Sequence, residues 1–452
     1  MIVLRARHRL LPLLGLALFA LAACQENIAG GAACPTLCPG QQLEVHDTVL
    51  VATEIFDTSA IVNGMPPLGT ETQLLVARYA DAAGDSIVSG AVLRFDSLQR
   101  NFPRPDTTKP VVAVASVSSA ILQFTSTPDT SIIRDSLRFE AIDVDANVPD
   151  LDTATIHQLF ITRPPLGTLN VAKDSVSTLH SLTLDTTFVR QHVTTGKRIR
   201  LGLRVFSYGH DTTGNVQVGI LPITSVSSTS GALTGSSLQY MGHGAAADTT
   251  DSLNFVNYSI SKSSGGPEFR YLANYQLVLK GSPPPPPGVV PVGGVPSSRL
   301  YLRFNLPSVL IDSSTTIVRA TLLLHQRGDP TFARLDSVSL TPRVVIASPN
   351  VTDVSKAALL LAEPTTVPLL AVRMNPSETR VDSLVLVSKT ASIVTLWRAV
   401  GPLLLQRALV LQSSGEGRDA RRFLLYTNTA ADTSLRPHLH LTYIPRSGFG
   451  LP

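Results

Sequence analysis

Apolar residues in this chain recur at every second position, and that period limits what it can fold into. Leu300, Leu302, Phe304 and Leu306 alternate with Arg299, Tyr301, Arg303 and Asn305. Ile199, Leu201, Leu203 and Val205 alternate with Arg200 and Arg204, and Ala91, Leu93 and Phe95 share one face. Successive side chains of a strand point to opposite faces, so these runs predict sheets packed on one side and wet on the other. Asp57-Thr58, Asp106-Thr107, Asp129-Thr130, Asp211-Thr212 and Asp432-Thr433 punctuate the runs. Short side chains that bond to nearby backbone favour turns, which is what these pairs predict. Many short strands with frequent turns predict an all-β chain of antiparallel sandwiches with few short helices. The 452 residues, 44% hydrophobic and 15% charged, allow two or three cored domains and exclude a disordered chain or a coiled coil.

Laid against itself, the chain repeats. Leu93-Arg94-Phe95-Asp96 matches Leu302-Arg303-Phe304-Asn305 at an offset of 209. Ala120-Ile121-Leu122 answers Ala320-Thr321-Leu322, and Thr187 to His192 answers Ser392 to Trp397. Leu203 to Ser207 then answers Leu409 to Ser413 at an offset of 206. The shared order predicts two homologous modules, 45–230 and 231–446, joined at Val226–Gly231. The proline-rich segment 282–298 is expected as an exposed loop inside the second module, with 447–452 as a tail.

The first residues read as an export signal. Arg5, Arg7 and Arg9 precede an uncharged run of 14 residues, Leu10 to Ala23. Such a run is shorter than the ~20 residues a spanning helix needs but suits a signal-peptide core. It ends Leu21-Ala22-Ala23-Cys24, which resembles the bacterial lipobox. That resemblance implies cleavage before Cys24, lipidation of its thiol and acylation of the new amino terminus. Several acyl chains give the stable anchoring that one does not. Gln25 rather than Asp follows, so outer-membrane or surface display is expected. The whole chain carries +4, but without residues 1–23 the balance is 34 basic against 33 acidic residues, which removes the case for a nucleic-acid partner. A tether over 24–44 holds Cys34 and Cys38, expected as a local disulfide or free thiols. Without nearby His or further Cys they fall short of a metal set.

Leu302-Arg303-Phe304-Asn305-Leu306 followed by Val318-Arg319-Ala320-Thr321-Leu322-Leu323-Leu324 resembles the middle of DNRLRE-type (disaggregatase-related) β-sandwich modules. Ile393-Val394-Thr395-Leu396-Trp397-Arg398 resembles that family's short helical turn, and Leu435-Arg436-Pro437 through Tyr443 its closing strand. The first module keeps the Arg-Phe strand and the Val189 turn but has His192 in place of Trp and no Arg-Pro ending. The resemblance implies jelly-roll-like, non-catalytic modules of the kind grouped with carbohydrate-binding domains, as in bacterial surface lipoproteins. It implies no ligand-binding residues.

Chemistry-bearing residues are sparse. Asp143, Asp145 and Asn147, with Asp150 and Asp152 behind, place oxygens at alternate loop positions, as Ca²⁺ requires. Val148 and Ala154 stand where an EF-hand needs Gly and Glu, so the segment reads as a structural calcium loop or a solvated acidic turn. His438 and His440 share one strand face without an identifiable third ligand. Ser259-Ile260-Ser261-Lys262 fits S-x-x-K without partner motifs, and no other catalytic signature occurs. Tyr240, Tyr258, Tyr271 and Tyr275 flank Ser/Asn/Gly-rich loops, either as half-buried edge residues or as a binding face. The expectation is a lipid-anchored, non-catalytic envelope protein with extracellular polysaccharide as leading ligand class and no cofactor beyond a possible calcium. The alternatives are a protein-binding subunit of an envelope assembly and a carbohydrate-active enzyme.

Overall fold

The computed structural model describes residues 45–445 apart from 53–55, 66–70, 72, 81–85, 104–110, 134–135, 151, 173–178, 209–214, 223–224, 227–232, 245–251, 260–273, 308–309, 311–314, 333–336, 346–371 and 387–407. The chain opens on β1 (His46–Val51) and β2 (Phe56–Asn63). There follow β3 (Leu74–Ala80), β4 (Ser86–Phe95), β5 (Val114–Ile133), β6 (Leu137–Asp143), helix α1 (Thr153–Thr162), β7 (Pro165–Val171), β8 (Leu179–Thr183), helix α2 (Thr186–Thr195), β9 (Ile199–Ser207) and β10 (Val216–Leu221). After the short pair β11 (Ser225–Val226) and β12 (Leu233–Thr234) come β13 (Ser237–Gly244), β14 (Ser252–Tyr258), β15 (Tyr275–Lys280), β16 (Val289–Gly293), β17 (Ser298–Phe304) and β18 (Thr315–Arg327). The rest is β19 (Val338–Val344), β20 (Val372–Met374), β21 (Arg380–Val385), β22 (Ala408–Ser413), β23 (Arg422–Tyr426) and β24 (His438–Pro445).

Pairing divides these strands into two antiparallel sandwiches of one topology. One runs β14-β13-β5-β10-β3-β4-β9-β6-β7, with β15 on β4 and β8 on β5. The other runs β1-β24-β18-β23-β16-β17-β22-β19-β20, with β2 on β17 and β21 on β18. Long strands change partner part-way, which folds each sheet back on itself. Residues Ile121–Gln123 of β5 pair with β13 on one edge and β8 on the other, and β10 takes over from β13 further along. The inward residues close over a common core. Leu93, Phe95, Leu122, Phe124, Phe139, Leu201 and Leu203 belong to the first, and Leu300, Leu302, Phe304, Leu322, Leu324, Leu409 and Leu411 to the second. The all-β, two-module architecture is therefore present, with the alternation of the sequence as its cause.

The duplication extends to individual hydrogen bonds. Leu184 N–H donates to the Ala120 carbonyl and Leu386 N–H to the Ala320 carbonyl, both at 2.9 Å. Val144 N–H donates to the Arg200 carbonyl and Val345 N–H to that of Ala408, both at 3.1 Å. One part of the sequence alignment shifts: Leu93 faces Leu201 and Leu302 faces Leu409, so the true counterpart of Leu409 is Leu201, not Leu203. A two-residue slip preserves the inward face, which is why alternation could not detect it.

The module boundaries also move. The counterparts of β14 and β15 in the second sandwich are β1 and β2, from the other end of the chain. Strands β13 to β15, expected beyond residue 230, belong to the first sandwich. The units are thus 74–280, and 46–63 together with 289–445. The junction is the proline-rich segment between β15 and β16, not Val226–Gly231. Prolines have no N–H to give a ladder, so the ladder ends there. Two expected turns, Asp57-Thr58 and Asp129-Thr130, lie inside β2 and β5, where the ladders to β17 and β10 run on past them with a register shift at each site. Asp432 is a turn as expected: its carboxylate accepts from Ser434 N–H at 2.9 Å.

The two sandwiches share an apolar seam. Leu75, Ala77, Tyr79 and Ile87 pack on Val295, Phe332 and Ala420, with the Tyr79 and Phe332 rings edge-on at 5.5 Å. Buried Gln217 accepts from Tyr79 Oη (3.2 Å) and Ala420 N–H (3.1 Å) and donates to Asp419 Oδ1 (3.1 Å).

Candidate functional site

Helix α1 borders a recess on the first sandwich. Asp152 caps its start, accepting from Thr155 N–H at 3.1 Å and Thr155 Oγ1 at 2.7 Å. Pro164 and Pro165 follow its end, where the chain turns extended. Ile156 and Phe160, one turn apart, are buried. Phe160 rests on two mid-strand glycines: a Cβ at Gly90 or Gly202 would lie 2.6 Å from its ring. Glycine inside a strand often marks such a close approach.

Beside the last turn of α1 lies a groove of about 560 Å³, a size typical of small-ligand sites. Its lining includes Val88, Phe160, Ile161, Phe206 and Leu279 among apolar groups and Arg78, Arg204, Lys280 and His157 among polar ones. Strand register explains the layout. Arg78 of β3 pairs with Val88 of β4, and Lys280 of β15 meets Val88 just past a register shift. Both line the groove, so two cations flank an apolar strip, their Cα atoms roughly 10 Å apart by two strand spacings. Across the groove Arg78, Arg138 and Arg204 stand around the Phe206 ring at 4.9, 5.2 and 5.6 Å from its centroid. Glu140 is held between Arg138 (2.9 Å) and Arg204 (2.8 Å), and Arg204 also donates to the Phe160 carbonyl at the helix end. No carboxylate lines the groove itself among the described residues.

The acidic loop is filled differently from the calcium expectation. Asp143 Oδ1 accepts from Asp145 N–H (2.9 Å), and Asp145 Oδ1 accepts from Asn147 N–H (3.0 Å) and Nδ2 (2.9 Å). These side chains bond back to their own loop, and Asp145 takes a φ of +33°, a region Asp tolerates better than most residues. The loop carbonyls point at Arg200, whose guanidinium donates to Val144, Asp145 and Val148 oxygens at 2.9, 2.7 and 2.9 Å. Its Nη1 lies 2.5 Å from Asp150 Oδ1, with side-chain exposures of 2% and 1%. An arginine thus supplies the positive charge that the loop oxygens require. Among the described residues no three His, Cys, Asp or Glu side chains converge as metal ligands. Burial pushes the Asp143 carboxyl above its ordinary range.

The tyrosine face is not assembled. Tyr240 is 1% and Tyr275 0% exposed, both core residues, while Tyr258 is 44% exposed. Tyr240 stacks on Phe255 at 5.2 Å and donates to the Gln99 carbonyl. Burial raises its hydroxyl to about 12 and raises that of Tyr275 further. Tyr271, Cys24, Cys34, Cys38, Lys262 and Trp397 lie outside the described residues. Ser259 is buried and donates to the Pro222 carbonyl. His438 and His440 face outward from β24, opposite to buried Leu439 and Leu441. The exposed Val49 and Val51 stand beside them on β1, and the exposed Val381 and Val385 stand two strands away on β21, beyond β18.

Sequence reasoning missed Arg78, Lys280 and Phe206 as one site, because they lie on three strands. The available signal was Arg200-x-Gly202-x-Arg204-x-Phe206, cations and an aromatic on the strand face opposite Leu201 and Leu203, interrupted by a mid-strand glycine.

No protein-family model matches the chain, and no curated protein matches it. Among solved structures, "BspA_C_WT" aligns at 6% identity and a TM-score of 0.16, over 82% of this chain and 91% of that one. The M60 catalytic domain with the CBM51-1 and CBM51-2 domains from Clostridium perfringens ZmpB aligns at 8% identity and a TM-score of 0.13, over 85% and 39%. Likeness this slight carries no argument about fold or function. The reading below rests on the chain's own residues.

Proposed function

We propose that the chain is a lipid-anchored cell-envelope protein that binds extracellular polysaccharide without chemistry of its own, through the groove beside α1. The observation that carries the binding role is that groove: apolar floor, convergent cations, and walls built on a rigid sheet face. A few fixed polar groups around an apolar recess are what a small-ligand site requires. The positions that resemble DNRLRE modules, such as Leu302, Phe304, Ala320 and Leu322, are core residues, in keeping with a scaffold whose binding surface lies elsewhere. The Ser126–His180 contact of 2.9 Å is buried, with the His180 ring beside Phe124 and Phe139. Anchoring follows from the lipobox-like Leu21-Ala22-Ala23-Cys24.

A second reading, docking of another envelope protein, draws on the exposed valines around His438 and His440. A glycan array probed with the full chain in detergent separates the two. Polysaccharide binding is expected; silence on every glycan together with a stoichiometric envelope partner contradicts it. Fatty-acid labelling tests the anchor: Cys24→Ala protein is expected to incorporate no label, and retained label refutes lipidation there.

A further inference from the structure

The outer face of the second sandwich carries an imidazole pair that the groove does not use. His438 of β24 pairs with Leu323 of β18, and His325 lies two residues further along β18. Residues two apart on a strand share a face, so His325 and His438 are diagonal neighbours on one side of the sheet. That side is opposite the core, into which Leu322, Leu324, Leu439 and Leu441 point from the same two strands. The two imidazole rings stand edge to face, their centroids 6.0 Å apart and their planes at 77°. We infer that this cross-strand pair binds a divalent transition ion such as Zn²⁺, at a site independent of the groove beside α1.

The spacing of the rings fits an ion. Imidazole nitrogen suits Zn²⁺, Cu²⁺ and Ni²⁺, whereas Ca²⁺ and Mg²⁺ take oxygen. Zn–N bonds of about 2.0–2.1 Å, with the ring radii added, put the centroids of two imidazoles on one ion roughly 5–6.5 Å apart. His325 and His438 already stand within that range, so side-chain rotation suffices and neither strand has to move. The partner along β24, His440, lies opposite Thr321, four residues from His325 on β18.

Two further features belong to the same place. His325 Nδ1 is buried and has no hydrogen-bond partner. An unpaired buried nitrogen is costly, and in native proteins such an atom meets a water or an ion. The Asp432 carboxylate stands close enough to His325 for their charges to interact. Its bonds to Ser434 N–H (2.9 Å) and Oγ (2.7 Å) both engage Oδ1, and the residue is exposed. Negative charge beside two neutral nitrogens favours a cation over an anion. Val51, opposite His438, and Val381, opposite His325, make the flanks apolar. Among the described residues no third His, Cys, Asp or Glu closes on the pair, so the site is an open one whose remaining positions go to water or an outside ligand.

The test titrates Zn²⁺ alone into the full chain in detergent, stripped of metal beforehand, by calorimetry. With half the side-chain ligands of a closed structural site, one ion per chain is expected with a Kd of roughly 1–100 µM near neutral pH. Affinity of that order empties the site on purification, so a chelator leaves the purified chain unmoved. His325→Asn and His438→Asn are each expected to weaken binding at least about tenfold, and His440→Asn to leave it within about threefold. Melting temperatures of the metal-free variants show that each is folded. In the unaltered chain, Zn²⁺ is expected to shield His325 and His438 from diethyl pyrocarbonate, as mass spectrometry of the modified peptides reads. Binding weaker than about 1 mM overturns the inference. So does binding that survives both His325→Asn and His438→Asn, binding that needs His438 and His440 but not His325, or shielding confined to other histidines. None of these outcomes bears on polysaccharide binding beside α1.

Discussion

Replacing Arg200 by Met tests the claim that an arginine, and not a metal, organises the acidic loop. Methionine nearly matches the volume of the stem but donates no hydrogen bond. The change strands the Asp150 carboxylate, 1% exposed, and leaves the Val144, Asp145 and Val148 carbonyls without their shared donor. Breaking a buried ion pair by removing one partner costs about 3–5 kcal/mol. For a unit of roughly 200 residues, each kcal/mol lowers the melting temperature by about 2–4 °C, so a fall of about 8–16 °C is expected near 4 kcal/mol. Scanning calorimetry of the full chain measures it. Arg200→Lys is expected to recover little, because an ammonium cannot fork among four acceptors. Arg200→Met combined with Asp150→Leu is expected to recover part of the loss, since no charge is then left buried alone. Excess Ca²⁺ or a chelator should leave the wild-type transition unmoved. A loss below about 1 kcal/mol, or several degrees of stabilisation by Ca²⁺, refutes the reasoning.

Three further outcomes follow from the fold. Leu50 of β1 lies in the core of the second sandwich, so Leu50→Asp is expected to cost about 3 kcal/mol or more there and leave the amides of the first sandwich protected in hydrogen exchange. Gln217→Ala withdraws three hydrogen bonds from the seam and leaves Tyr79 Oη without its acceptor; about 2–3 kcal/mol is expected, with calorimetric transitions of the two sandwiches moving apart. Burial holds the His180 imidazole below its ordinary pKa, so the unfolded chain binds a proton first as pH falls. Its contribution is complete above about 6.5 and is lost as pH drops below that value. His180→Gln is therefore expected to flatten the stability profile below about pH 6.5 in chemical denaturation. His438, shifted the same way by burial, leaves a residual slope.

What was legible in the sequence was whatever depends on near neighbours. Alternation identified Leu93, Phe95, Leu201 and Leu302 as inward residues, and the internal repeat identified Ala120 and Ala320, which accept the same hydrogen bond in each copy. What depends on distant pairing was not legible. Nothing in His46–Val51 indicates that it will lie beside β24, almost 400 residues on, because edge pairing leaves no local mark. Tyr240 and Tyr275 read as half-buried edge residues or a binding face because their loops are polar, yet the strands carry the rings fully inward. The acidic loop read as a calcium loop or a solvated acidic turn, and it holds a cation of the protein's own. The cation comes from Arg200, 50 residues away, which no local spacing rule would include. The groove failed for the same reason: Arg78, Phe206 and Lys280 meet only once β3, β4, β9 and β15 have assembled.

The central claim, that polysaccharide binds beside α1, is tested most directly by hydrogen exchange of the full chain with and without a bound polysaccharide. New protection is expected at the last turn of α1, around Arg78 and Val88, and along β9 and β15 near Phe206 and Leu279. Protection confined to the outer face of β24, around His438 and His440, or absent from the α1 region, would contradict the account.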